Sequence, residues 1–218
     1  MNAVEMTPAS ADLAALVASR LCHDLISPIG AIGNGVELIA EDPGEIGEEL
    51  ALIEMSARSV DAKLRFFRLA FGHAAATSTV REEEVQAIVA GYFAEARMRV
   101  HWTARPGLQA RGTMRLLLLL LLAAETALPL GGGAEIRLNG ATVEIALSGR
   151  RVGFQPQLLA LLLQGAIVPN LAPAHVQFAL ARADALRHEV RLSYAGSEAE
   201  GVLRAENLPQ ISGLADGA

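Results

Sequence analysis

Two long runs of heptad spacing open the chain and limit how it can fold. Ala18, Cys22, Leu25, Ile29, Ile32, Val36 and Ile39 recur in alternating steps of four and three, as do Ile46, Leu50, Ile53, Ala57, Val60, Leu64, Phe67 and Phe71. This spacing gives each helix an apolar seam backed by a polar face. Glu48, Glu54, Arg58, Asp61, Lys63, Arg65 and Arg68 supply that polar face in the second helix. Ser10 is placed to cap the first helix, which runs to about residue 40, and Glu41-Asp42-Pro43-Gly44 makes a compact turn. Helices joined so closely must lie antiparallel. A two-helix core is too thin to be stable alone. The seams are therefore covered either by a second copy, as a dimeric four-helix bundle, or by the rest of the same chain.

His23 follows the seam residue Cys22 by one position, so it is turned roughly 100° further round the helix and faces solvent or a partner. Ser19, Arg20, Ser27, Gly30 and Asn34 fall on the same face. Apart from Arg20 they are small, and they leave the imidazole open to another protein's backbone. Pro28 has no N–H, so the Asp24 carbonyl loses its helical partner and the helix can bend there.

Composition narrows the function classes. At 218 residues the chain has room for one sizeable core or two modest ones. It is 52% hydrophobic but only 4% aromatic, which suits helix packing. A net charge of −6 argues against a nucleic-acid binder. The single cysteine, Cys22, excludes an internal disulfide and a Cys-based zinc site, and fits a reducing compartment. No basic cluster marks a secretory signal near the N-terminus. Leu116 to Ala124 is apolar throughout but lies between Arg115 and Glu125. A membrane span needs roughly 20 residues, so this run is expected to be a buried core helix and the protein cytoplasmic, with no membrane contact. No metal site is expected. His73 and His101 lack a second ligand at metal spacing, and His175 and His188 stand near opposite ends of one helix.

Two domains are expected, a helical hairpin over 9–72 and an α+β domain over 79–208, with a small, polar linker at 72–79. Thr79 and Glu82 suggest a capping box for a helix to about residue 98. A strand follows over Val100–Ala104, then the Leu-rich helix over Thr113–Leu128. Asn139-Gly140 between Glu135–Leu138 and Thr142–Leu147 signals a hairpin. Helices from Pro156 and Pro173 and strands at Val190–Tyr194 and Val202–Glu206 complete a layer of helices on a mostly antiparallel sheet.

His-Asp-Leu-x-Ser-Pro followed by Ala31-Ile32 resembles the H-box of dimerising histidine kinases. The longer string from Leu21 to Gly35, including Ile29-Gly30-Ala31-Ile32-Gly33-Asn34-Gly35, is closer to the ChpT-type histidine phosphotransferases of alphaproteobacteria. That resemblance extends over nearly the whole chain. It implies a homodimer whose His23 carries a phosphoryl group, with Asp24 fixing the ring, and receiver or phosphate contacts at Ser19, Arg20, Ser27, Pro28, Gly30 and Asn34. The implied partners are the receiver domain of a CckA-like hybrid kinase and CtrA-like and CpdR-like response regulators. This chain would bind no cofactor, the Mg²⁺ residing in the receiver.

The second domain resembles the ATP-binding domain of histidine kinases without its chemistry. Ala123 or Ala124 stands where such kinases place a Mg²⁺-binding Asn, and alanine offers no oxygen to a hard cation. Ser148-Gly149-Arg150-Arg151-Val152-Gly153-Phe154 replaces the Asp-x-Gly-x-Gly box, with arginines at the glycine positions. Glu125 reads as a solvated helix-end charge. The rival functions are an ATP-dependent kinase with divergent boxes, a non-catalytic dimeric adaptor, and a phosphatase using Ser27.

Overall fold

The computed structural model describes residues 8–41, 46–73, 78–103 and 107–211. The turn expected at 41–44, the linker at 72–79, the strand end at Ala104, and the chain's two ends lie wholly or partly outside the described residues. Helices α1 (Pro8–Glu41) and α2 (Gly47–Ala70) form the hairpin, followed by β1 (Thr79–Arg81), α3 (Glu82–Tyr92), β2 (Met98–Trp102), β3 (Leu108–Ala110) and α4 (Arg111–Thr126). Next come β4 (Gly132–Asn139), β5 (Thr142–Ser148), α5 (Pro156–Gln164), α6 (Val176–Arg187), β6 (Arg191–Gly196) and β7 (Glu200–Glu206).

The hairpin is antiparallel, with Lys63 beside Asp24 and Ile53 beside Gly35. A Cβ at Gly35 would come within 2.7 Å of Ile53 Cγ1, so only glycine lets the two helices approach this closely there. Each heptad seam divides in two. Leu25, Ile32, Ile39, Ile53, Val60 and Phe67 are largely covered. The alternate members, Cys22, Ile29, Val36, Leu50, Ala57 and Leu64, form an exposed stripe, with Ile29 53% and Val36 55% accessible. The segment Asp12–Glu41 is long and apolar enough by composition to cross a membrane, at mean hydropathy 1.2, yet only 6% of that window is buried. Its excess apolarity lies on this stripe.

The remainder of the chain covers the hairpin at its foot. Leu116 to Ala124 are all buried, so α4 is apolar on every side and must be enclosed. The sheet runs β2-β4-β5-β7-β6, antiparallel except for the parallel β2–β4 pair. Its inner face (Ala134, Ile136, Val143, Ile145, Leu147, Leu203 and Ala205) joins one core with α4, α5 and α6. Its outer face carries exposed ion pairs such as Arg204–Glu144 and Arg191–Glu206, which contribute little to stability. Phe66 at the foot of α2 stacks on Tyr92 at 4.0 Å and meets Phe93 edge-on at 5.9 Å. Arg115 of α4 then donates from Nε to the Ala70 carbonyl at 3.1 Å and from Nη1 to both oxygens of buried Asp184 at 2.6 Å. The last turn of α2 is thereby capped by a side chain of the second domain.

Several local expectations change. Helix α1 starts at Pro8, where the missing N–H costs nothing, ahead of Ser10. Thr79 opens a strand paired with Ala110, and Glu82 is buried, accepting a hydrogen bond from Gln109 Nε2 at 2.8 Å. The capping box therefore does not form. Helix α3 ends at Tyr92, several residues early, because Phe93 turns into the aromatic cluster. Asp184→Ala leaves the Arg115 guanidinium shielded and unpaired, and is expected to cost about 3 kcal/mol. A urea titration measures this, and an unchanged midpoint would show the pair is dispensable.

Candidate functional site

Helix α1 continues through Pro28, which is buried. The proline leaves the Asp24 carbonyl without an intrahelical donor, and Lys63 Nζ from α2 fills that vacancy at 3.0 Å. The Asp24 side chain, only 16% exposed, is held on both oxygens. Arg20 Nε donates to Oδ2 at 2.5 Å, and His23 Nδ1 stands 3.0 Å from Oδ1. Arg20 also donates from Nη1 to the Ala174 carbonyl at 2.7 Å, in the turn that leads into α6.

An ionised carboxylate only accepts hydrogen bonds, so in the His23–Asp24 contact Nδ1 is the donor, and in the neutral form of the ring the lone pair falls on Nε2. The His23 side chain is 85% exposed, and the Nε2 edge is open among the described residues. The arrangement is an exposed imidazole held at one ring nitrogen by a neighbouring carboxylate, with its other ring nitrogen free to meet a partner.

The other residues singled out in the sequence separate into two groups. Ser19, Ser27, Gly30 and Asn34 are exposed around His23 and form its small-residue surround. Arg20 and Pro28 turn inward. The Arg20 side chain is 13% exposed and engaged with Asp24 and Ala174, while Pro28 shapes the helix from its buried side. Cys22 is exposed on the open stripe.

Three residues that sequence reasoning did not assign to the site lie in the electrostatic reach of Arg20. Burial, with the Glu125 charge adding to it, pushes the Tyr92 phenol above its usual range. Burial lowers His175, as does the Arg20 charge. Glu125 is a half-buried group and not the solvated charge its position at the helix end suggested. Burial raises its carboxyl, Arg20 opposes the rise, and Asp24 adds to it. Glu125, Tyr92, Lys63, Ser59, Arg58 and Glu95 line a groove of about 540 Å³ between α2 and the second domain. No pattern in the sequence marks Glu125 for this place, since α2 and α3 supply the covering side chains.

An acid whose pKa is higher folded than unfolded stabilises the fold while it is protonated. That contribution is complete below the ordinary carboxylate value and lost as pH rises through the raised one. Glu125→Gln is therefore expected to melt above wild type at about pH 7.5, with the gap closing at about pH 4. Thermal denaturation at the two pH values measures it, and a variant that melts lower at neutral pH would contradict the assignment.

Residues 82–200 match the histidine phosphotransferase C-terminal domain family. The chain is 37% identical over 161 residues to the protein phosphotransferase ChpT of Brucella abortus (strain 2308), an alignment spanning 72% of this chain and 77% of that protein. A bacterial phosphotransferase solved at 1.7 Å superposes with a TM-score of 0.79 at 33% identity, over 94% of this chain and 100% of the other. The family match over residues 82–200, the identity to a protein phosphotransferase and the likeness along nearly the full length lead to one conclusion: the chain belongs to the ChpT-type histidine phosphotransferases and is a protein phosphotransferase.

Proposed function

We propose that His23 is the phosphoacceptor of a multistep relay. It takes a phosphoryl group from the aspartyl phosphate of a hybrid-kinase receiver and passes it to the aspartate of a response regulator. The observation that carries this reading is the exposed His23 ring tethered through Nδ1 to Asp24 at 3.0 Å. The Nε2 lone pair attacks phosphorus, a P–N bond forms, and the P–O bond to the receiver's aspartate breaks, leaving its carboxylate. The ring gains positive charge as the bond forms, and Asp24 neutralises it through the Nδ1 proton. Transfer onward reverses these steps on a second receiver. Phosphoryl transfer has a loose transition state that depends on alignment and charge neutralisation. Mg²⁺ carried by the receiver supplies part of that neutralisation, and this chain contributes the aligned nucleophile.

The small, exposed Ser19, Ser27, Gly30 and Asn34 let a receiver's backbone approach the ring. By the family resemblance the donor is a CckA-like receiver and the acceptors are CtrA-like and CpdR-like regulators, all in the cytoplasm. The second domain favours a donor other than ATP. Ala123 and Ala124 are fully buried and offer no side-chain ligand to Mg²⁺. The N–H groups of Gly149, Val152 and Gly153 are spent on the Ala199, Glu198 and Ala127 carbonyls, leaving none of the three for a phosphate. The exposed stripe of Ile29, Val36, Leu50 and Leu64 favours a homodimeric four-helix bundle with an outward histidine on each protomer.

Wild-type protein mixed with a phosphorylated receiver is expected to acquire label, and His23→Ala none. Robust labelling by ATP without a receiver would overturn the relay in favour of a kinase. The double substitution Val36→Glu and Leu64→Glu is expected to halve the particle mass in light scattering. An unchanged mass would remove the bundle from the account.

A further inference from the structure

The proposal that follows rests on His23 as the phosphoacceptor and asks what holds its carboxylate partner in place. Asp24 is a short side chain on a helix, and unrestrained it would be free to turn away from the imidazole. Its Oδ2 is held by Arg20 Nε, and the same guanidinium is held through Nη1 by the Ala174 carbonyl of the second domain. Ala174 sits in the 3₁₀ turn Pro173–His175, which runs directly into α6. Helix α6 is fixed in turn by the ion pair from Asp184 to Arg115 and by Gln177 Nε2 donating to the Leu122 carbonyl. Hydrogen bonds at each end, joined through the backbone of the turn and α6, thus connect the core of the second domain to the His23 ring. Beneath Asp24, Lys63 secures the backbone that Pro28 leaves open.

We propose that Arg20 is a positioning residue through which the second domain, by its Ala174 carbonyl, fixes the Asp24 carboxylate and so orients the His23 ring with Nε2 outward. Arg20 does not touch the phosphoryl group in this account. Its planar fork spans both acceptors, whereas a lysine ammonium at that position reaches Asp24 without bridging to Ala174 in the same geometry. This assigns the second domain a function that needs no nucleotide, that of a brace for the phosphoacceptor.

The test uses the full chain and a receiver domain charged with acetyl phosphate. In Arg20→Met the rate of transfer at saturating receiver is expected to fall about tenfold or more, with KM for the receiver changed less than about twofold. Arg20→Lys is expected to fall between Arg20→Met and wild type. Nitrogen NMR of the His23 ring reads positioning directly and needs only folded protein: the Nδ1-protonated tautomer dominates in wild type, and Arg20→Met shifts it toward a mixture. Transfer at the wild-type rate in Arg20→Met, a loss confined to KM, or an unchanged tautomer would each overturn the proposal. His23→Ala run in parallel separates the two levels. If it still transfers, the phosphoacceptor reading fails; if it is inert while Arg20→Met is fully active, only the brace fails.

Discussion

The fold depends on the need to enclose a helix with no polar side. From Leu116 to Ala124 α4 presents only apolar side chains, and all of them are buried. A sheet shields one flank of such a helix and α6 another, and the remaining flank falls to the foot of the hairpin. That requirement draws Phe66 and Phe67 of α2 into the same core as the sheet. The hairpin is consequently a projection from the core of the second domain, seated on an aromatic cluster that includes Tyr92 and Phe93. Burying aromatic side chains of this size contributes more than their number suggests, because each removes a large apolar area from water.

Seating the hairpin this way brings polar groups of α1 against the second domain, where each needs a partner. Asp24 is the clearest instance. Its carbonyl, released by Pro28, meets Lys63, and its carboxylate meets Arg20 and His23. Both cations come from the hairpin, yet Arg20 is itself completed by a carbonyl of the other domain. A half-buried polar group left without such partners would destabilise the fold by about 1–3 kcal/mol, so the same contacts that satisfy Asp24 also fix the direction of the imidazole beside it.

Much of this was legible in the sequence, for identifiable reasons. Periodicity gave both long helices and set His23 off the seam, and the structure leaves His23 exposed together with its seam neighbour Cys22. The expected hairpin formed one residue out of place: Asn139 pairs with Thr142, and Gly140-Ala141 makes the turn, with Gly140 at φ 53°, a conformation that glycine adopts freely. What sequence could not supply came from contacts distant along the chain. The three-residue strands Thr79–Arg81 and Leu108–Ala110 pair with each other, and each is too short for its alternation to mark a strand by itself. Arg20 looked like an exposed neighbour of His23, and only the arrival of Ala174 from far along the chain turns it inward. Glu125 looked solvated for the same reason. The heptad runs gave the seam positions but not which half of each seam would be covered, because that depends on what lies across from it.

The grip of Arg115 on both the Ala70 carbonyl and Asp184 has a consequence for encounter with other proteins. It removes the swivel that a bare peptide connection would leave between stalk and head. An arriving molecule meets a surface already braced, with less internal freedom to surrender on contact, so more of the gross attraction survives as affinity.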